Sequence, residues 1–290
     1  MKRHCPNIQC SSPSLGSKVV LFGSYYRPSD SRRIQRYRCM GCKGTFSSAT
    51  FSSCFGQNKR RVNLPLERLL CSGVSMRRAG KILNIHQTTV SRKLLFLASM
   101  ARLSQKKFLS SMTPVSCFQF DDLETFEHTK CKPLSITMAV TKEDRKILGF
   151  RVSQMAAKGL LAEISRKKYG KRRDFRAKGI HNLFSEIKEY VSENPVIGSD
   201  ENPYYSRHIK KHFPKAIHKT YKGRRGCIVG QGELKKIGFD PLFSLNHTYA
   251  MARANMNRLF RRTWCTTKNP KRLADHLAIY VNYHNSILTA

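Results

Sequence analysis

Acidic residues are scarce in this chain, with 18 Asp and Glu against 54 Lys and Arg, so the places where they cluster are informative. Carboxylates that lie close together repel one another unless a divalent cation or basic neighbours offset their charge. Oxygen ligands of this kind suit Mg²⁺ or Mn²⁺, and two such ions can activate a nucleophile for attack on a phosphodiester. The alternative is that these acids pair with surplus Lys and Arg. The acids in question are Asp121, Asp122, Glu124 and Glu127, within seven positions, and Asp200.

Cysteines supply a second kind of ligand. Four of the ten form two close pairs, Cys5 with Cys10 and Cys39 with Cys42, and the other six are scattered singly, as in intracellular proteins with reduced thiols. The short spacing lets both thiolates of a pair bind one Zn²⁺. Residues 1–55 are too few to fold on a hydrophobic core alone, so a structural zinc would stabilise them. The pattern predicts a zinc ribbon; a disulfide pair or incidental thiols are the alternative.

The elements that must position the acids lie in residues 113–290. Short apolar segments predict three strands joined by short connections, then strands and helices in alternation, and a long basic helix at Asn246–Arg262. This order predicts the α/β class, a mixed sheet with helices on both faces. The predicted strands are Val115–Phe120, Ser135–Val140, Ile147–Val152, Pro195–Asp200 and Ala216–Tyr221, and helices are expected near 157–168 and 179–192.

Residues 60–112 have the spacing of a helix-turn-helix DNA-binding domain with a linker. Ser75 can cap a first helix, and Gly80 allows the two helices to cross closely. Asn84 can adopt the left-handed turn conformation, and Thr88 can cap the second helix. A plain helical hairpin is the alternative. The positions expected to be exposed for contact with base edges and phosphates are Gln87, Thr89, Ser91, Arg92 and Lys93.

The net charge of +36 bounds the partners. A chain this basic binds polyanions, and its 40% hydrophobic residues are enough for a buried core. No segment approaches the ~18 uninterrupted apolar residues of a membrane span, and the first residues contain no apolar signal segment. We therefore expect a cytoplasmic protein whose partner is nucleic acid and not a membrane.

The chain resembles, over nearly its whole length, a DDE-type transposase of a bacterial insertion sequence, of the kind that has an N-terminal zinc ribbon and a helix-turn-helix. The resemblance implies a ribonuclease-H-like catalytic core and metal-dependent DNA cleavage and strand transfer. It also implies that the protein binds double-stranded DNA at transposon ends and targets, near the bacterial nucleoid. Cutting two ends at once requires a homodimer or higher oligomer. The matching stretches are Tyr37–Cys42, Phe118–Glu124, Ser199–Asn202 and Arg253–Thr263.

The resemblance implies Asp121 as the first ligand of a catalytic Mg²⁺ or Mn²⁺ and Asp200 as the second. Asp122 is adjacent to Asp121, and side chains alternate along a strand, so only one of the two can face the metal; we prefer Asp121. The four basic residues expected to hold transposon-end DNA beside the metal, on one face of the last predicted helix, are Arg253, Arg258, Arg261 and Arg262.

The third acid of the family is where this sequence departs. The family has a Glu seven residues before a Lys or Arg, whereas the residue seven before Arg253 is Asn246. An amide oxygen can bind a hard cation without adding charge. The rival ligand is Glu233, in a glycine-flanked segment. A chain that has lost catalysis and acts as a sequence-specific DNA-binding regulator is the alternative function.

Overall fold

The computed structural model describes residues 4–10, 19–222, 240–261 and 263–289. The chain divides into two compact units, Met1–Leu66 and Glu67–Ala290. Its helices are α1 (Asn63–Leu70), α2 (Met76–Ile82), α3 (Gln87–Ser111), α4 (Leu161–Tyr169), α5 (Arg176–Ile187), α6 (Pro203–His212), α7 (Phe243–Asn255) and α8 (Pro270–Tyr283), with short 3₁₀ turns at Arg60–Val62 and Lys188–Tyr190 and a final π-helical turn at His284–Leu288.

The first unit contains a three-stranded antiparallel sheet. Strands β1 (Val19–Arg27) and β2 (Arg32–Cys39) form an antiparallel hairpin, and β3 (Thr45–Ser47) pairs with β2. The buried cluster at the paired cysteines contains few other apolar residues. Tyr37 and Phe46 pack with their ring centroids 5.6 Å apart against the four paired cysteines. A cluster this small agrees with the expectation that a metal contributes to the stability of the unit.

The second unit is built on a mixed five-stranded sheet with the order β6-β5-β4-β7-β8. The first three strands pair antiparallel, whereas β4 pairs with β7, and β7 with β8, in parallel. Parallel neighbours need a crossover, and α4 with α5, then α6, supply the two connections. The strands are β4 (Val115–Phe126), β5 (Pro133–Thr141), β6 (Ile147–Gln154), β7 (Val191–Asp200) and β8 (Ile217–Tyr221).

Helices cover both faces of this sheet, as the sequence predicts. Phe118 of β4 packs edge-on against Phe184 of α5. The next residue, Gln119, bonds at the start of α7: its amide donates to the Pro241 carbonyl and accepts from the Leu245 N–H. Neighbouring side chains of a strand point to opposite faces, so α5 and α7 lie on opposite sides of β4.

The last predicted helix, Asn246–Arg262, is wrong at both ends. Helix α7 begins three residues earlier, after Asp240 has accepted a hydrogen bond from the Leu242 N–H. It ends at Asn255, whose side chain bonds the Met251 carbonyl and whose own carbonyl accepts from the Gly73 N–H. The long-range hydrogen bond from Gly73 therefore ends the helix after Arg253 and before Arg258 and Arg261.

Within the described ranges, no helix combines the length and the apolar character needed to cross a bilayer.

Candidate functional site

The four paired cysteines converge. Their four sulfur atoms all lie within 4.8 Å of one another, and Cys5, Cys10 and Cys39 are buried. The Cys5–Cys42 sulfurs are 3.6 Å apart and the Cys10–Cys39 sulfurs 3.8 Å apart, far beyond the ~2 Å of a disulfide. A tetrahedron with Zn–S bonds of ~2.3 Å has edges of ~3.8 Å. The spacing of these sulfurs therefore fits one tetrahedral Zn²⁺.

Backbone N–H groups in the turn around Cys39 favour the thiolate form of the cysteines. Backbone N–H groups of Cys42 and Gly41 donate to the Cys39 sulfur and lower the pKa of that thiol to about 6. The N–H of Gly44 similarly lowers the pKa of Cys42. Zinc binds thiolates and not thiols, so these hydrogen bonds favour the ligand form. Geometry and charge therefore both suit this cluster to a metal ion.

In the second unit, Asp121 and Asp200 lie beside each other on adjacent parallel strands. The β4–β7 ladder pairs Gln119 with Gly198, and each Asp stands two residues further along its strand. Parallel neighbours are ~4.8 Å apart, and residues two apart share a face, so both side chains lie on the face of Gln119. That is the face on which α7 packs. The register thus delivers two carboxylates to one place.

The carboxylate of Asp121 is half-buried and held by two donors. The hydroxyl of Tyr205 donates to its Oδ1 at 2.9 Å, and the N–H of Asp122 donates to the same oxygen at 2.6 Å. Burial raises the pKa of Asp121 to about 6, and the charge of Asp200 adds to the rise while both hydrogen bonds oppose it. A carboxylate that is costly to ionise beside a second one is suited to a cation.

Asp121 and α7 line one cavity of about 690 Å³. Tyr249 of α7 donates from its hydroxyl to the Asp121 carbonyl and so joins the helix to β4. Asn246 and Arg253 also line the cavity, which places an amide, a guanidinium and a carboxylate around one space. The other lining residues include Asp122, Leu123, Glu124, Phe260 and Arg261.

The acids next to Asp121 have partners of their own. Asp122 accepts a hydrogen bond from the hydroxyl of Thr137 on β5, and Glu124 forms an ion pair with Lys158 at 2.8 Å. Glu127 lies 3.8 Å from Arg172. Pairing with surplus basic residues, the alternative for the whole cluster, therefore describes Glu124 and Glu127.

Asn246 is exposed and its side-chain orientation is set by an acid that the sequence analysis missed. Its Nδ2 donates to Oδ2 of Asp240 at 2.9 Å, while Oδ1 of Asp240 accepts from the Leu242 N–H. An Asp followed by Pro just before an apolar-periodic helix is a recognised N-terminal signal, and this was the clue available in the sequence.

The expected basic face of one helix is not formed, because Arg258 and Arg261 lie beyond the end of α7. Arg258 is half-buried and contacts the sulfur of Met76 at 3.1 Å. Arg261 is exposed and lines the cavity with Arg253. The rival ligand Glu233 and the fourth arginine, Arg262, lie outside the described residues.

The helix-turn-helix geometry is present in α2 and α3. The Ser75 hydroxyl accepts from the Arg78 N–H and caps α2, and Asn84 has φ 49° in the turn. A Cβ on Gly80 would lie 2.9 Å from the Ile85 carbonyl oxygen, so only glycine allows this crossing. The predicted cap Thr88 is wrong: α3 begins at Gln87, because Nδ1 of His86 accepts the Thr88 N–H.

Four of the five predicted reading residues reach solvent at the start of α3. Gln87, Ser91 and Arg92 are exposed and Thr89 is half-buried. Lys93 is buried at 4% exposure, so its expected exposure is wrong. Lys93 follows Arg92 by one position, and the rotation of ~100° per residue along a helix turns its side chain toward the protein interior.

No family model and no curated protein matches the chain. Among solved structures, the chain is similar to one in the cryo-EM structure of a simian T-cell lymphotropic virus intasome in complex with PP2A regulatory subunit B56 gamma, with 11% identity and a TM-score of 0.27. The similarity covers 75% of this chain and 65% of that chain, so it spans less than two thirds of that protein's length. The chain's own residues therefore carry the functional assignment.

Proposed function

We propose that the chain is a DDE-type transposase that binds the ends of an insertion sequence and catalyses DNA cleavage and strand transfer with Mg²⁺ or Mn²⁺. The observation that carries this proposal is the register of Asp121 and Asp200 on adjacent parallel strands. The strand order of the sheet agrees with the ribonuclease-H-like core that the resemblance implies. The net charge of +36 suits a DNA partner.

The two carboxylates on β4 and β7 and the arginine at the cavity wall have distinct roles in this proposal. Asp121 would hold the cation, and its Oδ2 is the oxygen that neither of the two hydrogen-bond donors contacts. Asp200 supplies the second carboxylate. Bound divalent cations supply the Lewis acid that activates the attacking water or 3′-hydroxyl and stabilises the leaving oxygen. Arg253, at the wall of the same cavity, holds a non-bridging phosphate oxygen.

Asn246 is the proposed third ligand. Because its Nδ2 is engaged by Asp240, its Oδ1 is directed away from that acid and is the atom available to a cation. Asn246 and Asp121 line the same cavity, and Arg253 stands seven residues after Asn246, two turns along α7. A neutral amide in place of a Glu would bind the cation more weakly but does not exclude catalysis.

DNA recognition is assigned to the first turns of α3 and to the zinc ribbon. In a helix-turn-helix the second helix enters the major groove, and its N-terminal residues contact base edges. Gln87, Ser91 and Arg92 are exposed there and can make those contacts. Cys5, Cys10, Cys39 and Cys42 hold the structural zinc, and a homodimer or higher oligomer would bring two transposon ends together.

The test is strand cleavage and transfer on a duplex that carries the element's own ends. A transposase converts this DNA with Mg²⁺ or Mn²⁺ and stops when EDTA is added, and the Asp121→Asn, Asp200→Asn double variant still binds the DNA but does not cut it. Tight, specific binding that is indifferent to Mg²⁺, with no cleavage by the wild type, would instead identify the non-catalytic regulator.

A further inference from the structure

Trp264 is the only tryptophan of the chain, and its side chain is fully exposed to solvent. An indole left in water exposes on the order of 200 Å² of aromatic surface. Single exposed apolar side chains are ordinary on protein surfaces, so exposure alone does not identify a contact surface. The surroundings of Trp264 decide what kind of partner it fits.

The segment that carries Trp264 is attached at both ends. Leu259 is buried on one side, and Thr267 is completely buried on the other. The Thr267 carbonyl accepts from the His128 N–H at 2.7 Å, just beyond the end of β4, the strand of Asp121. The indole is therefore presented by a loop that is anchored next to that strand.

This loop also borders the cavity of the candidate metal site. Phe260 and Arg261 line the cavity, and three residues of chain reach at most ~11 Å between the Cα atoms of Arg261 and Trp264. The side chain of Trp264 is thus within reach of a molecule that occupies the cavity. Its neighbour Cys265 lies close enough to Arg258 to interact with its charge.

The charge around the loop selects a nucleic acid. From Arg253 to Arg272 the sequence has seven basic residues and no acidic one. Interfaces between proteins are depleted of charge at their centre, whereas grooves that bind single strands combine cations with aromatic rings on which bases stack. In an intact duplex the faces of the bases are covered by their neighbours, so an indole can stack only on an unpaired or flipped base.

We infer that Trp264 is a stacking platform for an unpaired nucleobase of the DNA strand that enters the Asp121 cavity. The inference rests on the proposed function, because it assumes that the strand in the cavity is DNA. It adds a binding residue and the form of DNA that the residue recognises: a strand that is frayed or single-stranded next to the phosphate held by Arg253. Arg261 and Lys268 flank Trp264 in the sequence, three residues before it and four after it, and would hold the adjacent phosphates.

The lone tryptophan makes the test direct. Intrinsic fluorescence of the full-length protein is titrated with single-stranded oligothymidylate and with a blunt duplex, in Ca²⁺ so that no strand is cut. We expect oligothymidylate to quench the emission and the blunt duplex to quench it much less. In fluorescence anisotropy with labelled oligothymidylate, Trp264→Ala should bind about 5-fold to 100-fold more weakly, and Trp264→Phe should recover much of the affinity.

Leu160→Ala is the matched control, since Leu160 is also exposed and lies outside the cavity. Its affinity should equal that of the wild type. Unchanged emission together with unchanged affinity of Trp264→Ala would overturn the inference, and a variant that only changed self-association in light scattering would overturn it in favour of a protein partner. A DNA cleavage assay of Trp264→Ala in Mg²⁺ distinguishes failure of this inference from failure of the proposed function. If the variant still cleaves DNA, the transposase assignment stands even when the stacking role is excluded.

Discussion

The side-chain amide of Asn246 donates a hydrogen bond from Nδ2 to Oδ2 of Asp240 at 2.9 Å. The same carboxylate accepts from the Leu242 N–H through its other oxygen. Asp240 therefore positions the amide of the proposed third ligand and stabilises the start of α7 at the same time. The two tasks use different oxygens, so they can be separated by substitution.

Asp240→Asn should separate them. The new amide oxygen can still accept from the Leu242 N–H, but its NH₂ group would face the NH₂ of Asn246 and favour a flip of that amide. The flip engages Oδ1 of Asn246 and weakens Mn²⁺ binding about tenfold, with thermal stability close to wild type. Isothermal titration with Mn²⁺ and a melting curve check both parts. Asp144→Asn, on the exposed β5–β6 turn, is the control; equal Mn²⁺ affinity in all three proteins would rule out the positioning role.

Stability should depend on pH through His276. This side chain is completely buried, donates to the Leu70 carbonyl, and has a pKa lowered to about 4 by burial and by the charge of Arg258. Between pH 6.5 and 4 the unfolded chain binds the proton and the folded one does not, so the free energy of unfolding falls as the pH is lowered, by about 1.4 kcal/mol per unit.

His276→Gln removes this titration and keeps an amide that can donate to Leu70. We expect the wild type to lose about 2 kcal/mol more than the variant between pH 7 and pH 5 in urea unfolding. Parallel losses in the two proteins would show that His276 titrates normally in the folded state.

One zinc per chain should be present and should depend on the paired cysteines. Cys39→Ser removes the sulfur that two backbone amides contact, so zinc content falls and the first unit unfolds, because its core is small. Metal analysis together with limited proteolysis measures both effects. Cys54→Ser is the matched control, because Cys54 belongs to the same unit and lies outside the metal cluster. Full zinc content in Cys39→Ser would exclude the four-sulfur site.

Specific DNA binding should depend on the first turns of α3. Arg92→Ala should weaken binding to the element's ends about 5-fold to 100-fold and reduce discrimination against random DNA. Lys107→Ala, exposed on the same helix ~22 Å further along, should lose only a small, salt-dependent part of the affinity. Competition binding at two salt concentrations distinguishes the two effects. Equal loss in both variants would argue against base reading by α3.

The sheet and the four-cysteine cluster could be predicted because local signals define them. Apolar segments between turn residues marked all five strands of the larger sheet, and the cysteine spacing marked the ribbon. The places of Asp121 and Asp200 near the ends of such segments mark them as candidate ligands, the resemblance assigns them as the first and second, and the parallel register brings them together. Gly80 and Asn84 could also be predicted from the sequence. The first lies where two helices cross closely, and the second has the left-handed backbone conformation of the turn.

The features that sequence could not reveal depend on long-range contacts. Helix α7 ends at Asn255 because the carbonyl of that residue meets the N–H of Gly73, from a turn far away in the chain. The periodicity of the following residues carries no trace of that contact. Tyr205 reaches Asp121 from another element, and Lys93 turns inward because of the phase of α3. Each of these depends on the packing of elements and not on local propensity.

The most direct measurement of the central claim is Mn²⁺ binding by electron paramagnetic resonance in the wild type, Asp121→Asn, Asp200→Asn and Glu201→Gln. Glu201 is exposed and adjacent to Asp200, so it controls for general charge. If the two carboxylates share a cation, each Asp variant should lose at least about tenfold in Mn²⁺ affinity, and Glu201→Gln should bind Mn²⁺ as the wild type does. Mn²⁺ bound equally well by all four proteins would contradict the assignment of Asp121 and Asp200 as the catalytic metal ligands.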